Sequence, residues 1–292
     1  MFIVTLYYKF HPIANPEKFC RDHKELCTAL GLKGRVYISV EGINGTLAGL
    51  PEQMKCYQQY VHAIQGFENT SFKDDTCDTI PFVKLIVKTR LEIVSLKSSV
   101  AIDPSKELMP HLSPKEWRQT LELEKDFTLL DVRNDYESRI GHFEGAVLPK
   151  VENFFDFEQW LDESNLPKNK KVLMYCTGGI RCEKFSILMK KKGWGDVCQL
   201  DGGILNYAQQ EGGAHYKGKC FVFDDRLAVA IENNQQAPLG RCAITDVPCD
   251  RYVNCANVEC NSLFLCSEEG AKTYEGCCGK ACMEARKRRP FD

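Results

Sequence analysis

The segment YCTGGIRCEK, residues 175–184, combines the residue types that an activated thiol needs. The apolar run before it predicts a strand that ends at Cys176, and the pattern CEKFSILMKKKG after it predicts a helix. A loop between such a strand and helix points backbone N–H groups at the sulfur, and the helix N-terminus adds the positive end of its dipole. Both effects favour a thiolate, so we predict that Cys176 is the reactive group. The alternative is a structural cysteine in an ordinary strand–turn–helix unit.

The loop that follows the thiol is expected to form a cradle around the sulfur. Its glycines let the backbone approach closely, and Arg181 adds a fixed positive charge. The spacing from Cys176 to Arg181 is C-x4-R. Cysteine-dependent phosphatases resemble one another in C-x5-R, so this shorter loop fits a single sulfur better than a tetrahedral oxyanion and argues against a phosphatase. The cradle residues are Thr177, Gly178, Gly179 and Ile180.

The segments around this loop predict the domain that holds it. Short apolar strands, with FTLLDV, VLMYC and VCQLDGG the clearest, alternate with helical patterns. They lack period-2 alternation, which indicates a parallel sheet buried on both faces. Ligands of such sheets bind beyond the carboxyl ends of the strands, where Asp131, Cys176 and Asp201 fall.

The N-terminal part shows a different element order, βαββαβ, which predicts a ferredoxin-like (acylphosphatase-like) domain. Its last strand is predicted within FVKLIVKTRLEIVSL, residues 82–96, after a polar loop. EGINGT, between two predicted strands, is either a tight turn or a backbone contact to a ligand or RNA. We therefore expect a multi-domain α/β protein with four parts: a ferredoxin-like domain over 1–95 that grips RNA, a linker over 96–112, an α/β catalytic domain over 113–215 and a cysteine-rich region over 216–292.

Composition narrows the class of protein. With 292 residues, 43% hydrophobic and 27% charged, the chain is typical of a globular protein of two or three domains. No apolar run approaches the ~20 residues of a membrane span, and MFIVTLYYKF lacks the features of a signal peptide. We expect a cytoplasmic protein with no membrane partner. The net charge is −2 and no segment is strongly basic, so we expect no DNA partner, and any RNA must be bound through local patches.

Local basic patches are present near the thiol and at the end of the chain. A run of charges is often only a solvated face, but any of these could meet RNA phosphates. The candidate RNA-binding residues are Lys184, Lys190, Lys191 and Lys192, and Arg286, Lys287, Arg288 and Arg289.

The C-terminal region carries eight of the chain's 16 cysteines, between Cys242 and Cys282. In a reducing compartment this density favours metal binding or thiol chemistry over disulfides. Zinc takes four thiolates, often from C-x2–4-C pairs, and only Cys278 with Cys282 has near-standard spacing. Disulfides or packed free thiols are the alternative. The candidate zinc ligands are Cys249, Cys255, Cys260, Cys266, Cys277, Cys278 and Cys282.

The middle part resembles a rhodanese. LLDVRNDYESRIGHFEGAV, residues 129–147, matches the rhodanese signature D-V-R-x-x-x-E followed by G-H-x-x-G-A. The resemblance implies that Asp131 and Arg133 support the thiol loop and its charge. We expect His142 to satisfy a hydrogen bond rather than to take part in chemistry.

A narrower resemblance covers nearly the whole chain. EGINGT, CTGGIRCEK, DRYVNCANVEC and YEGCCGKAC together resemble the bacterial oxygen-dependent tRNA uridine(34) hydroxylases. This implies oxidation of the wobble uridine in the tRNA anticodon loop to 5-hydroxyuridine, with molecular oxygen as co-substrate and Cys176 as the essential thiol. Cys182, expected one to two turns into the helix, would resolve a sulfenic acid or persulfide on Cys176, or would simply pack against the sheet.

The resemblance is incomplete in the C-terminal region. Relatives often carry further cysteines after the position of Cys266, where this chain has Ser267 and Gly270. That departure argues against a second complete metal site.

Two other functions use the same residues. A rhodanese-type sulfurtransferase would carry a persulfide on Cys176, with thiosulfate as a donor, and a non-catalytic module would bind RNA or protein without turnover. No G-x-G-x-x-G fingerprint indicates a nucleotide or flavin cofactor, and the six histidines form no two-His-one-carboxylate set.

Overall fold

A computed structural model describes residues 1–231 and 237–291. The N-terminal part forms a five-stranded sheet of order β4-β1-β3-β2-β5. Its first four strands are antiparallel neighbours in the ferredoxin-like order, which confirms the predicted fold, and β5 adds in parallel to β2. The elements are β1 Phe2–Phe10, α1 Pro16–Ala29, β2 Lys33–Ser39, β3 Gly42–Gly49, α2 Pro51–His62, β4 Phe72–Cys77 and β5 Leu85–Thr89.

One strand lies where the sequence predicted a polar loop. β4, with the sequence FKDDTC, is the fourth strand of the motif, and the predicted final strand over 82–96 shortens to the added β5. β4 is an edge strand whose outward polar groups are satisfied locally. Asp74 accepts hydrogen bonds from Thr5 and from Gln58, the latter at 2.9 Å. The strand therefore needs no alternation of apolar and polar residues. Because strands are predicted from that alternation, the sequence indicated a loop here.

The two faces of this sheet have different neighbours. Alternate side chains pack under α1 and α2, among them Tyr7, Val36 and Ile38. Because successive strand residues point to opposite faces, the intervening Leu6, Tyr8, Arg35 and Tyr37 point the other way. That second face covers the thiol loop of the middle domain.

The middle part is the predicted parallel sheet, of order β6-β10-β9-β7. It is buried on both faces, since Leu130 and Met174 lie in one core and Leu129 and Leu173 in another. This explains the absence of period-2 alternation. The elements are β6 His111–Leu112, α3 Pro114–Leu123, β7 Phe127–Asp131, α4 Asp135–Ser138, β8 Gly141–Phe143, a 3-10 turn Phe154–Asp156, α5 Phe157–Glu163, β9 Lys171–Tyr175, α6 Ile180–Lys191, β10 Val197–Leu200 and α7 Gly203–Glu211.

The C-terminal region begins as part of the middle domain's packing. β11, Tyr216–Phe221, pairs with β8 on one side and with β12, Ala228–Ala230, on the other. Beyond it, β13 and β14 form a hairpin, and two short helices follow. Along the described residues, every helix is too short or too polar to cross a membrane. The last elements are β13 Tyr252–Asn254, β14 Leu263–Leu265, α8 Glu268–Thr273 and α9 Lys280–Met283.

Candidate functional site

The thiol of Cys176 lies directly after β9, in a loop that turns back over it. The backbone N–H of Gly179 donates a hydrogen bond to Sγ at 3.1 Å, and Cys176 is 1% exposed. Gly179 has a φ of +101°, which explains the glycine there. Gly178 is a glycine for another reason: a Cβ at this position would lie 2.2 Å from Leu6 Cδ2 of β1. The loop is therefore shaped by the N-terminal domain as well as by the sulfur.

The surroundings of the sulfur favour its ionised form. Burial opposes ionisation, but a hydrogen bond from the Cys182 thiol, the charge of Arg181 and the N–H groups of both residues outweigh it and lower the pKa of Cys176 to about 5. Burial and the neighbouring thiolate raise the pKa of Cys182 well above its ordinary value. The proton of this pair therefore stays on Cys182, which lies in the first turn of α6.

Arg181 is held by a residue that the sequence analysis did not single out. Its guanidinium forms a two-pronged ion pair with Glu137, with an Nη2–Oε2 distance of 2.8 Å. Thr177 Oγ1 donates to the same carboxylate at 3.2 Å. Glu137 is fully buried, so the pair is shielded from water. The available signal was its position as the last residue of the D-V-R-x-x-x-E signature.

Asp131 and Arg133 form a second buried ion pair. The Arg133 Nη2–Asp131 Oδ2 distance is 2.6 Å, and Nη2 also donates to the carbonyl of Gly141 at 2.7 Å. The pair thus ties the end of β7 to β8. The side chains of Thr177 and Arg181 in the loop bond instead to Glu137, so support of the loop by Asp131 and Arg133 stays a prediction. His142 Nδ1 lies 2.9 Å from the Ser138 carbonyl, the hydrogen bond expected of it.

Glu183 and Lys184, which follow Cys182 in α6, connect the thiol loop to the N-terminal domain. Glu183 accepts hydrogen bonds from Tyr8 Oη at 2.9 Å and from His111 Nε2 at 3.1 Å. Lys184 Nζ lies 2.8 Å from a Glu41 oxygen and 2.6 Å from Glu92 Oε2. Lys184 is 3% exposed and satisfied by two carboxylates, which argues against its expected contact with RNA phosphate.

The other candidate RNA-binding residues are more accessible than Lys184, and several of them are paired with carboxylates. Lys191 pairs with Glu107 at 2.8 Å and Lys192 with Asp162 at 2.7 Å, whereas Lys190 is exposed. At the end of the chain Arg288 pairs with Glu275 at 2.6 Å. Arg286, Lys287 and Arg289 are exposed, and Arg289 also donates to the Cys255 carbonyl at 2.7 Å. Their role in RNA binding stays a prediction.

A cavity of about 430 Å³ opens onto the thiol between the two domains. Cys176, Thr177 and Gly178 form part of its floor, and the second face of the N-terminal sheet forms the opposite wall. Sequence reasoning missed this wall because strand alternation shows that a sheet has two faces but not what covers each. The N-terminal lining residues are Leu6, Tyr8, Arg35, Tyr37, Asn44, Gly45, Thr46, Arg90, Glu92, Ile93, Val94 and Ser95.

Four cysteines of the C-terminal region converge on one point. The Sγ atoms of Cys255, Cys260, Cys278 and Cys282 all lie within 4.8 Å of one another. Cys278 Sγ is 3.8 Å from that of Cys260 and 3.7 Å from that of Cys282. Thiolates at ~2.3 Å from a tetrahedral zinc ion are ~3.8 Å apart, so this group fits zinc.

The remaining candidate ligands lie outside that group. Cys249 and Cys266 pack with Cys242 in a separate cluster, and Cys277 is buried beside the four without joining them. Gly270 lies against this second cluster, where a Cβ would be 2.8 Å from Cys242 Sγ. Among the described residues, only the first group brings together enough metal-ligating side chains for a site.

Comparison with known proteins gives matches along the chain. Three family models match: the UPF0176 acylphosphatase-like domain over residues 2–93, the rhodanese-like domain over 113–210 and the rhodanese C-terminal domain over 217–283. Among solved structures, a rhodanese-like domain from Anabaena sp is 26% identical with a TM-score of 0.32, covering 38% of this chain and 80% of that one. A rhodanese-like domain protein from Staphylococcus aureus is 24% identical with a TM-score of 0.29, covering 34% and 91%.

Curated relatives match over nearly the full length. Proteins named tRNA uridine(34) hydroxylase from Staphylococcus aureus strains Newman and MRSA252 are each 43% identical over 289 residues, which is 98% of this chain and 91% of theirs. These matches confirm the resemblance drawn from EGINGT, CTGGIRCEK and the cysteine-rich segments. The chain therefore belongs to the family of the tRNA uridine(34) hydroxylases.

Proposed function

We propose that this protein is a cytoplasmic tRNA-modifying oxidoreductase that hydroxylates uridine 34, the wobble nucleotide of the anticodon loop, to 5-hydroxyuridine. Molecular oxygen is the proposed co-substrate: one of its atoms enters the base and the other leaves as water, with two electrons and two protons supplied by an external reductant. The observation that carries the proposal is the Cys176 thiol, whose pKa is lowered to about 5 and which opens into a cavity between two domains. The names of the relatives support the same activity and the same position in tRNA.

Each residue around the thiol has its own proposed role. Cys176 is the group that meets the substrate, and the backbone of the loop from Thr177 to Arg181 holds its negative charge. Glu137 fixes Arg181 and Thr177 by direct hydrogen bonds, so it positions the cradle. Cys182 keeps a proton against the Cys176 sulfur and lies where it could resolve an oxidised or persulfidated Cys176.

The C-terminal cysteine group is proposed to hold a structural zinc ion. Cys255, Cys260, Cys278 and Cys282 supply four thiolates, a closed set with no position left for substrate, as in structural rather than catalytic zinc sites. Zinc bound there would fix the ends of a region that has little apolar core of its own.

Nucleoside mass spectrometry of cellular tRNA tests the activity. Cells that lack the gene should lose 5-hydroxyuridine and its derivatives, and the wild-type gene should restore them. Growth of the restored cells under heavy oxygen gas should add one heavy oxygen atom to the nucleoside. Unchanged 5-hydroxyuridine in the deletion strain would refute the proposed function, and heavy oxygen entering from water instead would refute the oxygen-dependent reaction.

Sulfur transfer is the second candidate, because the N–H of Gly179 that meets the Cys176 sulfur would hold a persulfide equally well. In that case the Cys176 thiolate would attack the outer sulfur of thiosulfate and release sulfite, so the Cys176 peptide would gain one sulfur atom. A thiolated nucleoside would also fall in the deletion strain. A purely binding module is disfavoured, since binding alone has no need for a thiol with a pKa of about 5.

A further inference from the structure

The wall of the cavity opposite the thiol carries two arginines without carboxylate partners. Arg35 lies on β2 and Arg90 directly follows β5, and both are exposed side chains that line the cavity. In the described parts of the chain neither guanidinium forms an ion pair, in contrast to Arg133, Arg181 and Arg226. Exposed arginines are common, but these two are directed into the cavity that holds the reactive group.

The other charged side chains of the cavity are already neutralised. Glu92 is paired with Lys184, and Arg181 is paired with Glu137. Besides the thiolate of Cys176, the uncompensated charge of the lining is therefore that of Arg35 and Arg90. Because a wall with two free guanidinium groups attracts anions, the cavity is suited to a substrate that brings negative charge with it.

Arg90 is also held in place before any ligand arrives. Its guanidinium carbon lies 5.1 Å from the centre of the Tyr37 ring, and its backbone N–H donates to the Ile38 carbonyl at 2.8 Å. Arg35 and Tyr37 are two residues apart on β2, so they lie on the same face, about 7 Å from each other. The sheet thus presents a short row of arginine, tyrosine and arginine along the mouth of the cavity.

We propose that Arg35 and Arg90 are positioning residues that bind the phosphates on either side of the nucleotide that enters the cavity. A guanidinium binds phosphate through paired N–H donors, which gives direction as well as charge. Such contacts do not depend on the RNA sequence, and they fix which nucleotide lies at the cavity. They leave the base of that nucleotide free to reach Cys176. The inference rests on the proposed function for the identity of the RNA and adds the surface that places it.

Binding of a tRNA transcript with uridine at position 34 to the full-length protein tests this inference. Arg35→Ala and Arg90→Ala should each weaken binding about tenfold and lower the slope of log affinity against log salt by about 1. Arg35→Lys and Arg90→Lys should restore the slope but not the full affinity, because lysine keeps the charge and loses the paired donors. Both side chains are exposed and neither forms an ion pair, so the Arg35 variants should unfold at the wild-type temperature. Loss of the Tyr37 contact should lower the unfolding temperature of Arg90→Ala by no more than a few degrees.

Arg21→Ala is the matched control, since Arg21 is exposed on α1, which packs on the opposite face of the sheet. Its affinity and salt slope should equal those of the wild type. Equal losses in Arg21→Ala and Arg35→Ala would show a general charge effect and overturn the inference. A second outcome would also overturn the inference. Arg35→Ala and Arg90→Ala could bind tRNA with unchanged affinity and lose only the transfer of sulfur from thiosulfate to Cys176. The arginines would then bind a small anion rather than tRNA phosphates.

The outcome is separable from that of the proposed function. If the arginine variants lose tRNA affinity as expected while the deletion strain keeps its 5-hydroxyuridine, the binding surface stands and the assigned reaction fails. If hydroxylation is confirmed and the variants bind tRNA like the wild type, the reaction stands and the binding surface fails.

Discussion

Cys176 owes its low pKa mainly to neighbours in its own loop and helix. The largest favourable contribution is the hydrogen bond from Cys182, followed by the charge of Arg181. That charge is shared with Glu137, which limits how far it favours the thiolate. The strand, the thiol and its loop could be predicted from the sequence because they are local. Cys182 was predicted as the partner of Cys176 for the same reason, whereas the bond of Glu137 to the loop joins residues about 40 positions apart, which spacing within one segment does not give.

The ionisation of Cys176 predicts how its reactivity depends on pH. Only the thiolate reacts with iodoacetamide, so alkylation of Cys176 should reach half its maximal rate near pH 5 rather than near its ordinary pKa of 9.0. Replacement of the donor in Cys182→Ala should move the midpoint to higher pH. The folded protein is alkylated and then digested, and the rate is measured by mass spectrometry from the fraction of the Cys176 peptide that carries the label. An unshifted midpoint in Cys182→Ala, or a midpoint near 9 in the wild type, would contradict the assignment.

Glu137 is predicted to stabilise the fold through its buried ion pair. Glu137→Gln leaves the guanidinium of Arg181 buried without its counter-charge, which costs about 3–5 kcal/mol of unfolding free energy. Denaturation in urea measures the loss. Glu144→Gln, which breaks the exposed pair of Glu144 with Lys217, is the control and should leave the unfolding midpoint unchanged. Similar midpoints for the two variants would show that the Glu137 pair contributes no more than a surface contact.

Among the elements, α6 joins the thiol loop to the N-terminal domain. Its first two turns contain Arg181, Cys182, Glu183 and Lys184, and each of these side chains has a partner in the site or in the N-terminal domain. The sequence predicted this helix and the parallel sheet correctly, since apolar runs and helical spacing are strong signals. It did not predict β4, whose polar edge position removes the apolar signal.

Lys184 is predicted to stabilise the contact between α6 and the N-terminal domain. Lys184→Met removes the cation that lies between Glu41 and Glu92, and these two part-exposed carboxylates then repel each other. The unfolding free energy should fall by about 1–3 kcal/mol, and hydrogen exchange should rise in the segment that contains Glu92. Lys190→Met, on the same helix but exposed, is the control and should change neither. An unchanged exchange rate in Lys184→Met would mean that the domains are held together by other contacts.

For the whole molecule, the candidate site is composite. The middle domain supplies the thiol, the N-terminal sheet supplies the opposite wall, and β11 attaches the cysteine-rich region to β8. The sequence predicted three kinds of domain and the reactive thiol in one of them. It could not show that a second domain closes the cavity, because Leu6 meets Gly178, and Tyr8 meets Gly179, only through tertiary packing.

The C-terminal cysteines give a prediction for the metal content. The purified protein should contain one zinc ion per chain, and Cys278→Ser should lose it, because Cys278 supplies one of four converging thiolates. Cys249→Ser removes a buried thiol of the separate cluster and should keep the metal. Elemental analysis by mass spectrometry measures the content. Zinc lost from Cys249→Ser but kept in Cys278→Ser would place the ion elsewhere.

We propose that the thiol of Cys176, in its cavity between two domains, carries out the modification of tRNA. The direct test is the 5-hydroxyuridine content of tRNA from cells that lack the gene and express the wild type, Cys176→Ser or Cys56→Ser. Cys56 is an exposed cysteine of α2 and serves as the matched control. We predict full restoration by the wild type and by Cys56→Ser, and none by Cys176→Ser expressed at the same folded level. Restoration by folded Cys176→Ser would show that the thiol is not required for the modification.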